Sequence, residues 1–335
     1  MATRPPTAPG PVRLHIVTGK GGTGKTTVAA ALALALARPG RRVLLTEVEG
    51  RQGIASAFGR HPLPYAERML TETPEGGQVW GLAVDAEDAL LDYLARFYHL
   101  GTAGRALDRV GAIDFATTVA PGARDVLLIG KVYEAARRID KGGPRAYDAV
   151  VLDGPPTGRI GAFLNVSSAI AGVAKAGPIH RQARSVAGYL ASPRTRAHLV
   201  TTAEEMPVQE ALDAISALGA CSIKVADLIA NELRSRYLSR SELTIARQGR
   251  LDRTQIAASL AAAALPTDHD FVAELCSGAT AAATRATVED TQLRRLRVAN
   301  LPVMRLPALP DASGRAALGE LSGLLAAALD AEHAR

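Results

Sequence analysis

Residues 14–27 read Leu14-His15-Ile16-Val17-Thr18 and then Gly19-Lys20-Gly21-Gly22-Thr23-Gly24-Lys25-Thr26-Thr27, and residues 28–37 continue as an unbroken run of Val, Ala and Leu. The first segment is a short apolar run ending at a glycine, which predicts a strand. The run after Lys25 is built from strong helix formers and predicts a helix. Between them, Gly21, Gly22 and Gly24 permit backbone angles closed to larger residues. Successive N–H groups and the N-terminus of the coming helix can then converge on phosphate oxygens. Lys25 is placed to neutralise charge on β- and γ-phosphates, and the Thr26 hydroxyl to ligate Mg2+. Thr23 and Thr27 complete the cradle. Strand, loop and helix stand in the order this chemistry requires, so the segment predicts a site for ATP with Mg2+.

Outward from the loop, strand-like runs recur at residues 42–46, 79–84, 149–153, 198–202, 223–230 and 302–306, with helical patterns between them. That alternation predicts an α/β fold, a doubly wound and mostly parallel sheet whose ligands sit at the carboxyl ends of the strands. Residues 86–146, 159–195 and 239–298 are too long and too helix-rich for simple crossovers, and they are read as a helical subdomain inserted in one ATPase domain spanning 12–335. In the first of these, Leu90, Leu94, Phe97 and Tyr98 recur at helical spacing opposite Glu87, Asp88 and Arg96, an apolar face expected to pack on the sheet. Pro266 breaks the third, and Leu318, Leu321, Leu325 and Leu329 predict a closing helix. Residues 1–11 are Pro-rich without an apolar segment and are read as a flexible tail.

With 47% apolar and 21% charged residues, the 335-residue chain falls in the range of globular proteins and outside that of disordered ones. A net charge of +6 suits an anionic partner, and a nucleotide alone satisfies it. Basic clusters at 234–240 and 294–297 carry almost no interleaved aromatic residues, so direct nucleic-acid binding is not expected. The two cysteines, Cys221 and Cys276, are far apart in sequence and give neither a disulfide framework nor a paired zinc site. Both are expected as small apolar core residues in a reducing cytoplasm.

Lys20 is a second lysine in a loop that already has one. With it, Gly19 to Thr27 resembles the deviant Walker A motif of the class that includes nitrogenase iron protein, the septum-site and partition ATPases, and the arsenite-pump and tail-anchored-protein targeting ATPases. In that class the early lysine reaches the nucleotide of a dimer partner, so the resemblance implies that role for Lys20. Asp153 closes an apolar strand, where its carboxylate can hold Mg2+ through water. The segment Asp153-Gly154-Pro155-Pro156-Thr157-Gly158-Arg159 looks like the second switch of the arsenite-pump and tail-anchored-targeting ATPases. Residues 79–94 resemble that family's strand ending in Asp followed by a helix, and Pro121-Gly122 the start of a further loop. Ile229-Ala230-Asn231 resembles the segment whose Asn reads the adenine edge, and Leu306-Pro307 the one that packs on the ring.

Departures from the pattern limit what carries over. Counting back from Ala57-Phe58-Gly59, the family's catalytic Asp falls on Glu49, in Glu49-Gly50-Arg51-Gln52-Gly53. Its longer side chain either still orients the attacking water or misses it. Arg124 stands where an acidic residue is expected, and no Cys-x-x-Cys pair is present for the zinc that joins some of these dimers. The resemblance implies a slow ATPase that dimerises, with itself or with a related ATPase subunit, and serves a protein client or a membrane partner from the cytoplasm or the membrane periphery. A nucleotide-holding scaffold and a partition-like ATPase on DNA are the alternatives. Replacing Lys25 by Ala is expected to weaken ATP binding about ten- to a hundredfold, the worth of one charge-assisted phosphate contact. Calorimetric titration of the purified variant checks it.

Overall fold

In the computed structural model the described residues are 11–38, 40–48, 50, 52–98, 123–140, 143–165, 178–309 and 314–333. They form one sheet in the order β3-β4-β2-β5-β1-β6-β7-β8. The strands are β1 (Leu14–Gly19), β2 (Arg42–Val48), β3 (Arg68–Glu72), β4 (Gln78–Val84), β5 (Ala149–Asp153), β6 (Thr195–Thr202), β7 (Val225–Leu233) and β8 (Val303–Pro307). All pairings are parallel except that of β3 with β4.

The central strands are apolar on both faces because helices cover both. Leu14, Ile16, Leu44, Leu152, Leu199 and Leu228 point into one core. It is shared with α4 (Ala123–Arg137), α5 (Thr157–Leu164), α6 (Pro178–Leu190) and α7 (Glu205–Ala220). Their neighbours Val17, Val43, Leu45, Val151, Val200 and Ile229 point into the other, with α1 (Lys25–Ala37) and α11 (Arg315–His333). Helix α1 is enclosed by the sheet and α11, so it is apolar around nearly its whole circumference: Val28 to Ala33, Ala35 and Ala37 are all buried.

Chain winding positions the site. Helix α1 carries the chain from β1 to β2 over one face, while α5 and α6 carry it from β5 to β6 over the other. Winding therefore reverses between the adjacent strands β5 and β1, and a crevice opens at their carboxyl ends. The phosphate loop leaves β1 there.

All seven strands read from the sequence are present, β5 with the ends read and the other six with shifted ends, β7 and β6 shifting most. The eighth, β3, is an edge strand in which only Leu70 is buried, so it offered no apolar run to read. Helix α2 (Gly53–Ala57) follows β2, and the helix-rich stretches hold α3 (Ala86–Tyr98), α4, α5 and α6, and then α8 (Arg240–Arg247), α9 (Arg253–Ala262) and α10 (His269–Leu296). Helices α4, α5 and α6 contribute Ile129, Phe163 and Val186 to the main core and so pack on the sheet. Asp268 caps α10 by accepting from the Phe271 N–H at 2.9 Å, two residues beyond Pro266. In α3, Leu90 is half-buried, and the side chains of Leu94, Phe97 and Tyr98 lie outside the described residues, as does Pro121-Gly122. Leu318, Leu321 and Leu325 of α11 are buried against α1. Among the described residues no helix is long and apolar enough to cross a membrane.

Leu32 lies at 1% exposure between the sheet and α11. Leu32→Ala is expected to cost about 2–5 kcal/mol through lost transfer energy and an unfilled cavity. Urea unfolding of variant and parent checks it.

Candidate nucleotide site

Gly22 and Gly24 hold φ of 85° and 79°, left-handed angles that turn the loop's N–H groups inward. Helix α1 begins at Lys25 with no side-chain hydrogen bond from its N-cap residue, Gly24, and its first turn opens toward the loop. Lys25 is 6% exposed and donates through Nζ to the Lys20 carbonyl at 3.0 Å. Thr23 Oγ1 donates to the same carbonyl at 2.9 Å. Beneath the loop, Asn231 at the end of β7 donates through Nδ2 to the Thr23 carbonyl at 3.0 Å. A Cβ on Gly24 would lie 2.3 Å from that Nδ2, so only glycine fits the approach. Thr27 is half-buried in the first turn of α1, and Pro307 is half-buried at the end of β8, in register with Leu233.

The metal pair read from the sequence is brought together. Thr26 Oγ1 donates to Asp153 Oδ2 at 2.6 Å, linking the start of α1 to the end of β5. Beside them stands Glu47, which the sequence reading missed. It pairs in register with Asp153 across β2 and β5, is 1% exposed, and accepts from the Ile54 N–H at 3.1 Å through Oε2. Its Oε1 is buried without a hydrogen-bond partner. Burial raises its pKa above the ordinary carboxylate range, the charge of Asp153 adds to this, and the amides of Ile54, Gly53 and Gln52 pull the other way. A signal was present in the sequence: a charged residue in the run Leu44-Leu45-Thr46-Glu47-Val48 stands where the strand is buried, a position carboxylates avoid without a reason.

Two carboxylates and a hydroxyl at one strand end form an oxygen-only donor set of the kind that suits Mg2+. The Glu47 oxygen without a partner fits a place where a cation would compensate buried negative charge. Glu49 itself lies outside the described residues. On its C-terminal side Gly50 has φ of 65°, and Gln52 donates through Nε2 to the Leu63 carbonyl at 3.0 Å and accepts from the Leu63 N–H through Oε1 at 2.7 Å.

Lys20 points away from Lys25. Its Nζ donates to Glu210 Oε1 on α7 at 2.6 Å, a second partner that sequence spacing could not show, since 190 residues separate the two. The cysteines occupy unlike places. Cys276 is buried, and Cys221 is half-buried, packed against the main core with its Sγ 3.6 Å from the Gly161 carbonyl. Among the described residues no group of three or more His, Cys, Asp or Glu could hold a metal ion.

The sequence model of the anion-transporting ATPase family matches residues 12–190. The chain belongs to that family. ATPase BagA of Mycobacterium tuberculosis is 48% identical over 317 residues, covering 94% of this chain and 93% of that protein. ATPase GET3 of Kluyveromyces lactis is 28% identical over 164 residues, 47% of this chain and 46% of its own. A protein of Aquifex aeolicus named for an arsenical pump-driving ATPase is 27% identical over 150 residues, 44% of this chain and 46% of its own. The chain is thus an ATPase of the anion-transporting type, and the phosphate loop, Asp153 and Glu47 all lie inside the matched residues.

A raised carboxylate favours the folded state most with its proton on, and that advantage is lost as pH rises through its folded value. Near neutral pH, Glu47→Gln is therefore expected to raise the melting temperature of the nucleotide-free protein, by on the order of 1–3 °C. The gap closes on acidification below the ordinary carboxylate range, where Glu47 is protonated in both states. Thermal melts of the two proteins across pH check the sign.

Proposed function

We propose that this anion-transporting ATPase binds Mg-ATP on the loop from Gly21 to Thr27, hydrolyses it slowly, and uses the cycle to change its association with a second ATPase subunit and with a protein client or membrane partner. The observation that carries the reading is the contact of Thr26 with Asp153 at the head of the phosphate loop, beside the buried Glu47. Thr26 and Asp153 are the residues to hold Mg2+, with Glu47 behind them. When bound there, Mg2+ would supply positive charge to the phosphates.

The chain's own residues account for the remaining requirements. Amides of Gly21, Gly22, Thr23 and Gly24 and of the uncapped start of α1 bind phosphate oxygens. Lys25, enclosed at the loop's centre, neutralises charge on the β- and γ-phosphates. Lys20 serves the nucleotide of a partner, either a second copy or a related subunit, as the family's loop implies. Glu49 orients the water that attacks the terminal phosphorus in line with the leaving oxygen. Asn231 and Pro307, at the ends of neighbouring strands, face the adenine, with Asn231 also fixing the loop's base. Helices within residues 86–146, 159–195 and 239–298 form the part that responds to nucleotide and meets the client.

A second reading draws on one surface. Arg236, Arg240, Arg247, Arg294, Arg297 and Arg305 line a single cleft of about 620 Å³, where Asp290 holds Arg236 at 2.6 and 2.9 Å. Such a concentration of guanidinium groups suits a polyanion and keeps a DNA-associated ATPase in view. A salt-dependent gel shift with duplex DNA supports it, and no binding at low salt ends it.

The purified protein is expected to release phosphate from Mg-ATP. Glu49→Gln is expected to slow that release about a hundredfold while leaving ATP binding intact, since one misplaced catalytic group costs about that factor. Equal steady rates in variant and parent at saturating Mg-ATP remove Glu49 from the reaction and favour a nucleotide-holding scaffold.

A further inference from the structure

Three loops meet above the adjacent strands β5, β1 and β6: the phosphate loop after β1, the second switch after β5, and the turn from β6 into α7. One side chain joins all three. Glu210, in the second turn of α7, accepts from Lys20 Nζ through Oε1 at 2.6 Å and from Thr157 Oγ1 through Oε2 at 3.0 Å. Lys20 belongs to the phosphate loop. Thr157 is the first residue of α5, four positions after Asp153, and is 7% exposed.

The carboxylate is therefore used on both oxygens, by two groups that belong to nucleotide-sensing segments. Its contact with the ammonium is charge-assisted and short. The hydrogen bond from Lys20, with a smaller contribution from Thr157, holds the Glu210 pKa below the ordinary carboxylate range, so the pair is ionic at neutral pH. The side chains of Lys20 and Glu210 are about one-third exposed, at 32% and 33%, so the tie is reachable by water and easily exchanged for a better anion. A phosphate is such an anion.

We propose that Glu210 is a latch that holds Lys20 and the second switch in the nucleotide-free arrangement, and that a terminal phosphate must compete with it to recruit either group. This rests on the reading of the loop as an ATP site and adds its restraint. The latch has a direction. While it is closed, the ammonium that a nucleotide needs is spent on the chain's own carboxylate, and Thr157 is kept on the α7 side of the crevice. Opening it frees the loop and the switch together, because the two contacts share one side chain. Glu210 touches no reacting atom, so it is a positioning residue.

The latch acts against the γ-phosphate, which gives a readout that a merely structural ion pair does not move. Glu210→Gln keeps the size and one acceptor but removes the charge, and Glu210→Ala frees both arms. Affinities for a non-hydrolysable ATP analogue and for ADP are measured by calorimetry on the full chain, with thermal melts to confirm folding. Glu210→Gln is expected to tighten the ATP analogue about two- to fivefold, the range of one exposed ion pair, and to leave ADP within experimental scatter. Glu210→Ala is expected to do so at least as strongly. In a Lys20→Ala background the effect of Glu210→Gln should vanish, because there is no ammonium left to release. Unchanged analogue affinity in a folded Glu210→Gln protein that still binds nucleotide overturns the latch alone, as does an equal gain for ADP or a gain that persists without Lys20. Absence of nucleotide binding in the parent protein overturns the site reading and the latch with it.

Discussion

Glu47 and Asp153 end neighbouring parallel strands beneath the phosphate loop, each almost wholly removed from water. Two carboxylates so placed repel each other and lose hydration, and the protein offsets only part of that cost. The Thr26 hydroxyl donates to Asp153, the Ile54 amide donates to Glu47 Oε2, and Glu47 Oε1 is left without a hydrogen-bond partner. A bound cation would offset that cost, in keeping with the proposed Mg2+ site. The rest of the site is disposed around this point: the start of α1 with Lys25, and the start of α2, tied to Glu47 through the Ile54 amide.

The sheet makes the arrangement possible. Parallel strands present their carboxyl ends together, and the reversal of winding between β5 and β1 leaves a crevice that no crossover helix fills. Because α1 is enclosed between the sheet and α11, its first turn is fixed relative to Asp153. Rigidity below and exchangeable contacts above are a workable division for a switch. The buried pairs hold geometry, whereas the one-third exposed tie of Lys20 to Glu210 sits at the surface, where a competing anion can reach it.

The fold was readable because its determinants are local. A glycine-rich loop between an apolar strand and an Ala- and Leu-rich helix, followed by further apolar runs separated by helical patterns, admits few architectures. Edge strand β3 escaped because an exposed edge needs only one buried residue. In the site, Lys25, Thr26 and Asp153 were found through motif chemistry. Glu47 carries no motif of its own: its one signal is a charge within the buried strand β2, two positions before Glu49, the residue that aligns with the family's catalytic Asp. Glu210 had no such signal. Its partners lie 190 and 53 residues away, and only the adjacency of β5, β1 and β6 brings them together.

In the proposed function Asp153, with Thr26, holds Mg2+ for a nucleotide on the Gly21 to Thr27 loop. The most direct measurement is the affinity for ATP with and without Mg2+, in the parent protein and in Asp153→Asn, which preserves shape and removes charge. The account predicts that Mg2+ tightens ATP binding to the parent by an order of magnitude or more and tightens it far less in Asp153→Asn, since ligands to a charged ion contribute on the scale of charged hydrogen bonds. An identical Mg2+ dependence in the two proteins would contradict it.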